Sequence, residues 1–152
     1  MGQGQLILLV LATVIVGLAT VVGIRAFNEI SAKSNADAMM QDAARMASDA
    51  QAWKQKPETL GGQASPESND PDNFTGITLA RMGYSDSEGT YTNANGSFTI
   101  KGTGNRALIV GTNVVFNNRI EVLICGIEDT DIHVRLIDVG GVEVDHTPRC
   151  PR

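Results

Sequence analysis

Apolar positions change their period twice along this chain, and each change marks an element. Leu6 to Ile24 is an unbroken run of 19 residues tempered only by Thr13, Thr20, Gly17 and Gly23, and the first ionisable side chain is Arg25. As a helix the run is about 28 Å long, close to the ~30 Å hydrocarbon core of a bilayer. From Arg25 the pattern becomes amphipathic. Ala32, Ala36, Met39, Ala43, Met46, Ala50 and Trp53 recur at alternating steps of four and three, which is one stripe of a helix. Asp37, Asp42, Arg45, Asp49 and Lys54 are expected to lie away from it. Alanine, methionine, glutamine and lysine favour helix, and no proline occurs before Pro57. One continuous helix of about 50 residues, roughly 75 Å long, is therefore predicted. No domain this small can bury such a helix throughout, so its first half is expected to protrude.

Residues 57–73 are rich in Gly, Pro, Ser, Asn and Asp and read as a surface connector. A short helical turn is expected from Ile77 to Met82, ended by Gly83. Strand signals follow. The Asn95-Gly96 pair sits between alternating residues and predicts a two-residue hairpin turn that pairs Tyr91 with Ile100 and Asn93 with Phe98. Tyr91, Phe98 and Ile100 then share one face. Further strands are expected at Ala107–Val110, at Ile120–Cys125 with Ile120, Val122 and Ile124 inward, and at Ile132–Leu136 with Ile132, Val134 and Leu136 inward. The loop Glu128-Asp129-Thr130 makes the last two antiparallel. The expected fold is α+β: a small antiparallel sheet of four or five strands whose apolar face is covered by the amphipathic half of the helix. The chain divides into a helix, 1–56, with a membrane-type half at 1–24 and an amphipathic half at 25–56, and a sheet domain, 57–152.

Composition narrows the functions. The net charge is −5 and no polybasic tract is present, so nucleic acid is not an expected partner and anionic lipid gains nothing. The residues before the apolar run are uncharged Met-Gly-Gln-Gly-Gln and the run is long for a cleaved signal, so the segment is expected to be retained. Cys125 and Cys150 leave two readings, one disulfide or two unrelated thiols, of which the disulfide is favoured because it ties down the C-terminus. They do not form a metal site with lone His133 and His146, and no metal or other cofactor is expected. His133 is predicted to point outward from its strand, and no nucleophile motif stands beside either histidine, so an enzyme is not expected. Asp70 with Asp72, and Glu128 with Asp129 and Asp131, lack the spacing of an EF-hand and read as turn residues. Asn73-Phe-Thr75 and Asn95-Gly-Ser97 match the glycosylation triplet, without an expectation that either carries sugar.

A membrane-length apolar helix, continued as an amphipathic helix and covered by an antiparallel sheet with two late cysteines, resembles the type IV pilin and pseudopilin superfamily. In that family the mature chain starts with an aromatic residue or methionine and carries a glutamate at position five. Here Met1 and Gln5 hold those places before Leu6, so the spacing is kept and the acid is not. A glutamine can accept a hydrogen bond from a neighbour's terminal amine but cannot cancel its charge. The resemblance implies a structural subunit that waits in the inner membrane and then polymerises with copies of itself into an extracellular helical filament. Gln5, Leu6, Leu9, Thr13, Gly17, Ala19 and Gly23 are its expected assembly residues. Thr13 with Gly17 and Ala19 with Gly23 are two small-xxx-small pairs of the type that lets apolar helices pack closely. Met39, Ala43, Met46, Ala50 and Trp53 are the expected helix–sheet contacts. A pseudopilin of a secretion machine and a signal-anchored surface protein with a binding domain are the alternatives.

Overall fold

In the computed structural model, which describes residues 2–62, 73–85, 87–143 and 150, the apolar run and the amphipathic stripe form one helix, α1 (Gly2–Gln55). Its end follows from Pro57. The Lys56 N–H still reaches back to the carbonyls of Ala52 and Trp53, but proline has no N–H with which to continue. The chain then turns through Gly61 in the left-handed conformation, and the Trp53 indole donates to the Gly61 carbonyl at 2.9 Å.

All seven residues of the predicted stripe are buried, joined by Ala47, Gln51 and Lys54. Lys54 departs from expectation, since it lies under the segment beginning at Asn73 rather than away from the core. Its Nζ donates to the Asn73 carbonyl at 3.1 Å and stands 5.5 Å from the centroid of the Phe74 ring, so the aliphatic stem is covered while the charge keeps polar company. Phe74, Ile77 and Leu79 are buried in the same core, and a short 3-10 turn, Ala80–Met82, ends at Gly83 with φ 92°. Asp70 and Asp72, most of the connector, and His146 lie outside the described residues.

The sheet contains six described strands, β1 (Tyr91–Thr92), β2 (Ser97–Thr103), β3 (Arg106–Asn113), β4 (Asn118–Ile124), β5 (Ile132–Val139) and β6 (Val142–Glu143). They lie in sequence order, every pair antiparallel, as a meander. Register aligns three rows across the face toward α1: Phe98, Gly111, Ile120 and Leu136; Ile100, Ile109, Val122 and Val134; Gly102, Ala107, Ile124 and Ile132. Gly111 is needed in the first row, because a Cβ there would stand 2.8 Å from the Phe98 ring and 2.9 Å from the Ile120 side chain. Helix α1 crosses β3, β4 and β5 over these rows, burying Ile120, Val122 and Ile124 as predicted. On β5, Ile132 and Leu136 join the core, whereas Val134 stays 37% exposed at the edge of the helix's cover.

The first hairpin forms in a different register from the one predicted. Tyr91 pairs with Phe98 and Thr92 with Ser97, a shift of two residues that keeps Tyr91, Phe98 and Ile100 on one face. Neither Asn95 nor Gly96 has positive φ. The turn is held instead by Asn93, whose Oδ1 accepts from the Asn95 and Gly96 N–H groups, while the amides of Asn93 and Asn95 both donate to Asp42 on α1. Gly96 serves close approach: a Cβ there would lie 2.7 Å from the Thr112 carbonyl oxygen and 3.1 Å from Met39 Cε. Docking onto the helix thus outranked the local turn preference.

Candidate assembly surface

Every described residue from Gly2 to Ile30 is solvent-exposed, and burial in the domain begins only at Ser31 and Ala32. The helix is long and apolar enough to cross a membrane by length and composition. Its two threonines present no unpaired hydroxyl to an apolar partner, because Thr13 Oγ1 donates to the Val10 carbonyl and Thr20 Oγ1 to the Val16 carbonyl, both at 2.8 Å. Leu6 and Leu9 project freely, and Gly17 and Gly23 have no heavy atom within 4 Å of a Cβ position. Thr13 with Gly17 and Ala19 with Gly23 each form a shallow small-residue face. Six residues of helix turn the second face about 240° from the first, which leaves the two about 120° apart. The two faces therefore point to different sides of the helix.

The exposed and buried halves of α1 are one continuous helix. No proline interrupts it. Met39, Ala43, Met46, Ala50 and Trp53 fix its second half in the core, and Gln51 Nε2 donates to the carbonyls of Gly126 and Glu128. A second fixing point near the domain's lower end was not legible in the sequence. Buried Asn118 donates through Nδ2 to the Ala32 carbonyl at 2.7 Å and to Asn35 Oδ1 at 2.9 Å, and its Oδ1 accepts from the Gly140 N–H at 3.0 Å. Asn35 and Asn113 both donate to the Asn95 carbonyl. Asparagines dispersed over a helix and two turns give no periodic signal, and only the fold collects them.

Cys125 and Cys150 form a disulfide, with Cα atoms 5.6 Å apart. It follows β4 directly, so it ties the C-terminal end to the central sheet. Among the described residues no group of three or more His, Cys, Asp and Glu is placed to hold a metal ion. Asp131 accepts the Glu128 N–H through Oδ2, a turn role. His133 lies on the sheet face away from α1, beside Leu123 in register, but its Nε2 is buried with no hydrogen-bond partner among the described residues rather than presented to solvent. Asn95 of the second glycosylation triplet has its amide engaged by Asp42 at 2.7 Å. Tyr84 donates to Asp49 Oδ2, and burial, with that hydrogen bond and carboxylate charge adding to it, pushes the phenol well above its ordinary pKa.

What this arrangement can do is adhere: it offers a long apolar rod, small-residue faces on two sides, and a domain locked to one end. Comparison with protein-family models, with curated proteins and with solved structures found nothing that matches this chain.

Proposed function

We propose that this chain is the structural subunit of an extracellular type IV pilus-like filament, held in the inner membrane by its apolar half-helix and then polymerised through it. The observation that carries the reading is the continuity of α1, whose wholly exposed apolar half is the same helix that forms the spine of the domain. A plain anchor needs only the apolar run. A filament needs more: the rod must hold the domain at a fixed distance and angle, and its surface must fit several like rods at once. The two small faces about 120° apart suit such a bundle, where each helix exchanges lipid for more than one neighbour. The −5 charge and the absence of a polybasic tract favour no nucleic-acid role.

Electron microscopy and intact mass measurement of a sheared, pelleted cell-surface fraction test this reading. Filaments are expected to contain this chain with its disulfide formed. Leu9→Asp places a charge in the rod about 9 Å from the middle of the apolar run, where it costs less than the roughly 2.5–3.5 kcal/mol of a bilayer-centred position, and Gly17→Leu fills one small face. Both are expected to abolish filaments while the domain still folds. Normal filaments from Leu9→Asp would overturn the helical-core assembly and leave the signal-anchored reading.

A further inference from the structure

Where α1 leaves the domain, apolar loop tips lie beside it. The β3–β4 turn carries Val114 and Val115, which are 92% and 85% exposed, and Val142 of the β5–β6 hairpin is 68% exposed. Val115 and Val142 border a groove against Asn28 and Lys33 of the helix. On its far side Phe27 and Ile30 are also largely exposed. They precede buried Ala32 by five and two residues, which puts them about 140° and 160° around the axis from it. Apolar side chains therefore stand on two sides of the helix where it leaves the domain.

The height of the loop tips along the helix is set by a built structure. Asn113 Oδ1 accepts from the Val115 and Phe116 N–H groups, which holds the turn with its valines outward. The Gly141 N–H donates to the Asn117 carbonyl, joining the two loops, and Asn118 bonds them to α1 at Ala32 and Asn35. Asn28 and Lys33 lie four and nine residues beyond Ile24, about 6 and 14 Å along the axis. The headgroup layer on each side of the hydrocarbon core is about 5–8 Å thick. With the apolar run in the bilayer and an ordinary helix tilt, the collar's membrane-side edge at Asn28 stands in that layer and its far edge at Lys33 about 5–6 Å above it.

We propose that this collar is a lipid-facing seat: in the membrane-held subunit, Val115 and Val142 on one side and Phe27 and Ile30 on the other rest at the headgroup layer and fix the depth and tilt of the domain. The inference rests on the membrane-held state proposed above. The contact is apolar rather than directed at anionic headgroups, since Lys33 is paired with Glu29 at 2.9 Å and the chain is acidic. A second copy of the chain is a poorer occupant. Valines on two loop tips supply little of the roughly 800 Å² per partner that a stable protein interface buries, and the collar's aromatic residue, Phe27, lies on the opposite side of the helix from them. A loop that seats on lipid needs only a few apolar side chains, because the span already supplies the attachment.

The test uses the full chain in phosphatidylcholine vesicles with brominated acyl chains, which quench nearby indoles. Trp53 is buried in the core and far along the helix from the span, so the unsubstituted protein supplies the background emission. Val115→Trp is expected to lose about half of its added emission, more with bromines near the headgroup than deep in the chains, as for an indole seated at the interface. Ile15→Trp, in the middle of the apolar run, reports insertion itself and is expected to show the reverse depth preference. If Ile15→Trp is quenched and Val115→Trp is not, the seat is overturned while the membrane-held state stands. If neither is quenched, the membrane-held state falls and the seat with it. If Val115→Trp is shielded only in assembled filaments, the collar belongs to a second copy and the lipid proposal is overturned.

Discussion

Replacing Asn118 by alanine tests whether the helix is locked to the sheet at the domain's lower end. Asn118 is 2% exposed and makes three hydrogen bonds, two as donor to α1 and one as acceptor from Gly140. The Ala32 carbonyl also serves the helix, but Asn35 Oδ1 and the Gly140 N–H lose the partner described for them. Each net bond is worth about 0.5–1.5 kcal/mol, and each buried group left unpaired costs about 1–3 kcal/mol, so the expected loss is about 2–4 kcal/mol. Since every described residue up to Ile30 is exposed, the chain beginning at Ala26 is expected to fold and to permit urea unfolding without detergent. At a slope of about 1–2 kcal/mol per molar, the midpoint should fall by about 1–4 M with the slope unchanged. Asn35→Ala in the same cycle should couple to it by about 0.5–3 kcal/mol, because the two side chains share one bond. A loss below about 0.5 kcal/mol, the size of an ordinary surface change, would refute the lock.

Three further outcomes follow from the same structure. Met46→Ala, in the fully buried stripe, should cost about 2–5 kcal/mol in the same urea assay, whereas Arg45→Ala on the exposed side should cost under about 0.5 kcal/mol. Tyr84 has its phenol pKa raised by burial and by Asp49. Its contribution is therefore intact below the unfolded tyrosine pKa of about 10 and is lost as pH rises above it, where the unfolded state releases a proton that the folded state retains. Thermal melts of the wild type should decline above that pH more steeply than those of Tyr84→Phe, and equal slopes would remove the linkage. Reduction of the Cys125–Cys150 bond, which spans 25 residues of sequence, should lower stability by about 3 kcal/mol, read as a shift in the urea midpoint with and without reductant.

The long helix, its apolar and amphipathic halves and its end at Pro57 were legible because each is a local matter of composition, period and one missing N–H. The same holds for the inward residues of β4, where alternation alone assigns the face. The hairpin at Asn95-Gly96 shows where that stops. Its dipeptide favours a turn of positive φ, yet Asp42 on α1 draws both asparagine amides and Gly96 must admit Met39, so the register moved by two residues. Period two preserves the apolar face under such a shift, which is why the core was foreseen and the turn was not. Lys54 was assigned to solvent because nothing local places Phe74 and Asn73 over it.

The surface proposed for assembly divides in the same way. Its apolar rod and small-residue pairs are written into the first 24 residues, since a run without charge is a local matter of composition. The asparagine lock and the valine collar exist only in the tertiary structure. They gather residues from α1, the β3–β4 turn and the β5–β6 hairpin, segments more than 80 residues apart in the bond from Asn118 to Ala32. No periodicity can encode such a meeting, because it is the meander's register against the helix that sets which turns arrive at the same height.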